Sequence, residues 1–143
     1  MRYLLFVAVV ILSGCTILSP QAPTTLDLLQ GEWEVTQMQN QPARQPRTLT
    51  FSGNTFVMPA NNQTEFRGEF TLDDAFTPPR MEINLSKYQN GHVVDSSVAQ
   101  TKTIVRIEGD TLTMKSDTKG EAFPTDFEAR EGTFRMQFKR SGQ

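Results

Sequence analysis

The sequence predicts an all-β domain, an antiparallel up-and-down barrel of about eight short strands entered through one short helical turn. Three observations carry that expectation. From Gly31 onward apolar residues recur at every second position in successive short runs, the period of a strand with one buried face. Clusters bearing Gly, Asn, Asp or Pro separate the runs at short intervals, as in an antiparallel meander. Helical spacing is confined to a single turn near residue 25. Each strand's apolar face therefore has to be covered by other strands, which a sheet achieves by closing or folding over itself.

Residues 1–14 read as an export segment outside that barrel. Arg2 supplies a positive start, Tyr3 to Leu12 is an apolar run, and Ser13 and Gly14 are small, the order of a cleavable signal. A membrane-spanning helix needs about 20 apolar residues, more than this run offers. Leu12-Ser13-Gly14-Cys15 resembles the lipobox of bacterial lipoprotein signal peptides. The resemblance implies that Cys15 takes a diacylglycerol on sulfur, that the chain is cut before it, and that the new amino group is acylated, so that palmitate-like chains hold the protein to membrane lipid. It also accounts for the single cysteine, which in an exported protein otherwise suggests a reactive thiol or an intermolecular bridge. Thr16 in place of Asp implies, by the same resemblance, an outer-membrane anchor facing the periplasm.

Residues 15–24 form the lipidated N-terminus and tether. Thr16 to Thr24 holds two prolines and no charge, a semi-rigid spacer of roughly 3 Å per residue and a reach on the order of 25 Å. Residues 25–143 are then the barrel domain. Thr24 or Thr25 caps a helical turn through Leu29, with Asp27 at capping-box spacing from Thr24 and Gly31 ending it.

The strands follow in order. Trp33, Val35 and Gln37 alternate with Glu32, Glu34 and Thr36; Leu49 and Phe51 alternate with Thr48 and Thr50; Phe56 and Met58 follow a Ser52-Gly53-Asn54 turn. Phe66, Gly68, Phe70 and Leu72 oppose Glu65, Arg67, Glu69 and Thr71, and Asp73 to Pro79 connects them to Met81, Ile83 and Leu85. Ser86 to Gln100 is polar, carries Asn90-Gly91 and lacks a sustained period, which reads as a long loop or a ragged strand pair. Thr103, Val105 and Ile107 lead into Gly109-Asp110, and Leu112 and Met114 lead out, a hairpin with a two-residue primed turn. Asp117 to Gly120 is a turn, Ala122 to Ala129 is irregular, and Phe134, Met136 and Phe138 make the last strand.

Leu29-Gln30-Gly31-Glu32-Trp33-Glu34-Val35 resembles the Gly-x-Trp opening of lipocalin-type barrels. That resemblance implies that Trp33 closes one end of the barrel under an Arg or Lys of the last strand. Counting by twos from Phe134 places Arg140 in the same register as Phe138, so Arg140 is the expected partner. The chain also resembles a group of bacterial lipocalin-like domains numerous in planctomycetes. The matching pieces are the Trp33 opening, Gly109-Asp110-Thr111-Leu112-Thr113, Pro124-Thr125-Asp126-Phe127 and Lys139-Arg140, and they imply a fold without an activity.

Eight strands suit either a barrel plugged by its own side chains or one enclosing an apolar ligand. The residues expected to line such a space are Phe51, Phe66, Phe70, Met114 and Phe134, with methionine as an adaptable lining. Arg44 and Arg47 lie in the first connection, where they can meet an acidic ligand at a barrel mouth or stand as solvated charges. His92 is the one histidine, with neither a second histidine nor a free cysteine to share a zinc ion. Ser96 and Ser97 lack a nucleophile elbow, and Asp73, Asp74 and Asp95 lack Ca²⁺-loop spacing. No metal, cofactor or catalytic function is expected.

Removing residues 1–14 leaves 13 Lys and Arg against 16 Asp and Glu, a balance that excludes a nucleic-acid footprint or a polybasic lipid patch. The remaining expectation is a lipid-anchored envelope domain, non-catalytic, binding a small apolar or amphipathic ligand or, with a filled barrel, an envelope protein.

Overall fold

A computed structural model describes residues 20–142. The expected export segment, Cys15 and the expected tether through Ser19 lie outside the described residues. The order is one helix, α1 (Thr25–Leu29), then β1 (Gly31–Met38), β2 (Gln41–Pro42), β3 (Thr48–Ser52), β4 (Thr55–Pro59), β5 (Thr64–Asp73), β6 (Arg80–Gln89), β7 (His92–Glu108), β8 (Thr111–Asp117) and β9 (Thr133–Arg140).

Thr24 caps α1 as its sequence spacing predicts. Its hydroxyl accepts the Asp27 N–H, and the Asp27 carboxylate accepts the Thr24 N–H at 2.9 Å. Each barrel strand pairs antiparallel with the next in chain order, and β9 returns to pair with β1. The sheet is therefore a closed barrel of eight strands, with the two-residue β2 appended to β1. Closure removes free sheet edges wherever both neighbours run the full length.

Turn chemistry sets the register. Ser52 faces Thr55 across Gly53-Asn54, and Glu108 faces Thr111 across Gly109-Asp110, with positive φ at both glycines. Gln89 faces His92 across Asn90-Gly91, where both turn residues have positive φ, the requirement of a type I′ hairpin. These turns alternate between two ends. One end gathers α1, the Gly53, Gly109 and Asp74–Pro79 connections and the end of β9; the other gathers the first connection, Asn61–Gln63, the Asn90-Gly91 turn and the β8–β9 connection.

Two expectations are corrected here, and one alternative is decided. Ser86 to Gln100 is the ragged strand pair rather than the loop, the outer part of a long β6–β7 hairpin with two register shifts. Strands are not uniformly short, since β5 and β6 have ten residues and β7 has 17. Gln37 does not continue the inward row of Trp33 and Val35: a bulge between Val35 and Gln37 in the β1–β9 pairing leaves Gln37 exposed and turns Met38 toward the core. An extra residue in one strand reverses the facing of all that follow.

The core runs along the barrel axis. Trp33, Val35, Leu49, Phe51, Phe56, Phe70, Met81, Ile83, Val105, Leu112, Met114 and Phe138 fill it, and Leu29 of α1 plugs one end. Gly68 belongs to the same inward row, and the Phe56 ring of the neighbouring strand lies over it where a Cβ would stand. The outward rows carry Glu65, Arg67, Glu69, Glu82, Lys102 and Lys139. A membrane barrel shows the reverse, with its apolar band outside. No helix among the described residues is long and apolar enough to cross a membrane.

Candidate functional site

Trp33 is fully buried at the helix end, and its indole N–H donates to the Leu29 carbonyl at 2.8 Å. Arg140 pairs with it across the β1–β9 closure, and its guanidinium carbon lies 4.1 Å from the ring centroid. The same guanidinium donates from Nη1 to the Gln30 carbonyl at 2.9 Å and from Nη2 to the Leu28 carbonyl at 2.7 Å. Those are carbonyls at the C-terminal end of α1, where a cation is electrostatically favoured. Gln30 adds a second tie: its side chain accepts from Gly53 N–H and donates to the Gly53 carbonyl. The indole, the guanidinium and the amide together seal this end, with the indole fully buried beneath the other two.

The five residues expected to line a ligand space are split. Phe51, Phe70 and Met114 are buried in the axial core, with the Phe51 ring 5.6 Å from Phe56 and 5.7 Å from Phe70. These are edge-on and tilted contacts of the kind that fill an interior. Phe66 and Phe134 are half-buried toward the opposite end, near Met58, Leu85 and Met136, which pack on the same core. Inward polar groups at that level satisfy one another, the Thr103 hydroxyl lying 2.8 Å from Ser116 and 3.3 Å from Thr101. Arg44 and Arg47 border a surface hollow of about 380 Å³ with Met38, Gln41 and Pro42 at this end.

An unexpected feature lies outside the barrel wall. The β8–β9 connection folds back over the outer face of β7 and β8. Ile104, Thr113 and Lys115 point outward by strand period, yet each is at most 2% exposed. The Lys115 ammonium lies 2.9 Å from the Asp126 carboxylate, and Arg130 reaches the other carboxylate oxygen at 2.7 Å. Phe127 stacks under Arg106 at 4.5 Å, and Phe123 lies between Arg80 and Lys102 at 4.9 and 5.7 Å. Asp117 starts the connection by accepting the Glu121 and Ala122 N–H groups.

These contacts set the electrostatics. The Glu121 and Ala122 amides hold the Asp117 carboxyl below its ordinary range. The Lys115 ammonium, then the Glu128 amide, does the same for Asp126. The sequence shows the irregularity of Ala122 to Ala129 but not its packing; the one available signal was two phenylalanines in a segment without a period.

The polar candidates lie apart from one another. His92 and Ser96-Ser97 stand on the exposed outer arm of β7. The Asp95 carboxylate accepts the Ser97 N–H at 2.9 Å, and the Ser86 hydroxyl donates to the Ser96 carbonyl at 3.0 Å. These contacts shape the double bulge of the arm. Asp73, at the other end, accepts the Ala75 N–H. Among the described residues no three His, Cys, Asp or Glu side chains gather for a metal ion.

Exposed large apolar side chains fall at the two ends. Leu26, Leu28 and Phe76 are at the helix end, and Val93, Val94 and Val98 are on the β6–β7 arm at the opposite end, the first two valines 52% exposed. Fold and filling together define a closed, eight-stranded antiparallel barrel with a packed axis. Comparison with protein-family models, with curated proteins and with solved structures returned no match.

Proposed function

We propose that this chain is a lipid-anchored lipoprotein of the cell envelope, held through acylated Cys15 at the outer membrane facing the periplasm, whose non-catalytic barrel binds a protein partner. The observation that carries the reading is the packed axis: Phe51 meets both Phe56 and Phe70, and Met114 lies in the same buried cluster, where an apolar guest would sit. A plugged barrel has its outer surface left for recognition. The outstretched β6–β7 arm, with Val93, Val94 and Val98 in solvent, offers the apolar contact area from which protein interfaces draw their anchors.

A second reading, small-molecule binding, is favoured by the half-buried Phe66 and Phe134 beside Met58 and Met136 at the end opposite the helix. There a short acyl or aromatic group has apolar side chains to meet without displacing the axial core.

The anchor is tested by Cys15→Ala, which leaves a folded, soluble domain; a domain still bound to membranes after that change defeats the lipoprotein reading. A photo-crosslinking amino acid at Val93 in the acylated protein, expressed in its envelope, yields one defined protein adduct, lost when Val94 and Val98 become Asp. Native mass spectrometry showing a stoichiometric small molecule, with no protein adduct at Val93, assigns the second reading instead.

A further inference from the structure

Among the described residues, six exposed large apolar side chains divide evenly between opposite ends of the barrel. We infer that the helix end, presenting Leu26, Leu28 and Phe76, is a docking face for a zwitterionic lipid surface, so that the domain lies against the bilayer with the β6–β7 arm pointing away. This inference rests on the lipid-anchor reading of Cys15.

The helix that carries Leu26 and Leu28 begins at Thr25, and Cys15 stands ten positions before it. The end of the barrel that follows Cys15 most closely along the chain is therefore the helix end, and a tether of this length has a reach on the order of 25 Å. Leu26 and Leu28 are 36% and 39% exposed and Phe76 42%, although the helix has only one fully buried residue, Leu29. Beside Leu28 a hollow of about 400 Å³ is bordered by Pro78, Pro79, Ile107 and Phe127, and its lining is mostly apolar. Protruding leucines next to an apolar recess suit the acyl and headgroup boundary, where partial burial of such side chains adds to a covalent anchor.

The charge at this end selects the lipid. Asp27, Glu32, Asp73, Asp74, Glu108 and Asp110 are exposed at this end and outnumber its exposed cations, Arg106 and Lys139; Arg80 lies over the Phe76 ring at 3.7 Å, and Arg140 is engaged with α1 carbonyls and Trp33. An acidic rim repels an anionic surface and tolerates a zwitterionic one. Close contact is then strongest on phosphatidylcholine-like headgroups and weakens as phosphatidylglycerol is added.

The test uses the full acylated protein in phosphatidylcholine vesicles. Acylation consumes the only native thiol, so a nitroxide placed through Leu28→Cys, Phe76→Cys or Val93→Cys labels one site each. Labels at positions 28 and 76 should be shielded from a water-soluble nickel chelate and accessible to oxygen, with the reverse at position 93. Adding phosphatidylglycerol should raise nickel access at positions 28 and 76. Leu26→Asp with Leu28→Asp should speed proteolytic cutting of the tether by about tenfold while leaving the chain acylated and membrane-bound. An acylated protein with equal nickel access at positions 28, 76 and 93 overturns the docking alone; a protein recovered without acyl groups on Cys15 overturns the anchor reading and the docking with it.

Discussion

Arg140 lies with its guanidinium carbon 4.1 Å from the Trp33 ring centroid while donating to the Leu28 and Gln30 carbonyls. One side chain thus joins the last strand, the first strand and the helix. Its planar fork reaches two carbonyls and stacks at the same time, which an ammonium cannot do. Arg140→Lys is expected to lower stability by about 1–2 kcal/mol, and Arg140→Ala by more. Urea unfolding followed by the fluorescence of Trp33, the single tryptophan, measures both. Equal stability of the Lys and Arg proteins would contradict the bridging role.

Gly68 is required by its neighbour. A Cβ there would overlap the Phe56 ring, and that ring is pinned 5.6 Å from Phe51 in the core. Gly68→Ala should cost about 1–3 kcal/mol through overpacking. Adding Phe56→Leu removes the obstruction, so the double substitution should cost less than the sum of the two single ones. Strict additivity in thermal or urea unfolding would show that the ring has room to move.

Lys115 and Asp126 are unequal partners, with side chains 3% and 35% exposed. Asp126→Asn strands a cation beneath the β8–β9 connection and should lower the melting temperature by several degrees. Lys115→Met in the same background removes that cation and should recover most of the loss, because an apolar replacement of a buried pair is often neutral or better. Melting curves of the two single variants and the double one decide it; a double variant weaker than Asp126→Asn would mean that the ammonium stem contributes chiefly by packing.

Acid should loosen the chain through three carboxylates held below their ordinary range. Asp27 is held by the Thr24 amide and hydroxyl, Asp117 by the Glu121 and Ala122 amides, and Asp126 by Lys115 and the Glu128 amide. A carboxylate with a depressed folded value adds stability above its unfolded value, about 4, and that contribution is lost as pH falls through the folded value. The urea midpoint should therefore be nearly level between about pH 7 and 5 and fall below about pH 4. Asp117→Asn and Asp126→Asn, weaker at neutral pH, should show a shallower acid decline, and an unchanged slope would exclude these groups as its source.

Much of the architecture is legible before any coordinates because its causes are local. The capping box of Thr24 and Asp27 needs three residues of spacing. The Gly109-Asp110 and Asn90-Gly91 turns need residues tolerant of positive φ. The row from Phe134 to Arg140 needs only a period of two. The Ser86 to Gln100 arm was ambiguous for an equally local reason: its outer part leaves the core, so burial imposes no alternation, and two bulges interrupt what remains.

The ligand-lining set shows where such reasoning stops. Phe51, Phe66, Phe70, Met114 and Phe134 share inward periodicity, but periodicity does not reveal depth along the axis. The meeting of Phe51 with Phe56 and Phe70 depends on strand stagger around the closed barrel.

The residues by themselves determined an antiparallel barrel with a capped helical entry, because alternation, capping and turn preference act over a few positions. Only the tertiary structure decided that the axis is packed, that Met38 replaces Gln37 toward the core, and that outward-facing Ile104, Thr113 and Lys115 are covered. The physical reason is distance along the chain. Lys115 is buried by a segment that begins after β8 ends and has no period of its own, and the bulge beyond Val35 exists only in its pairing with β9, some hundred residues away.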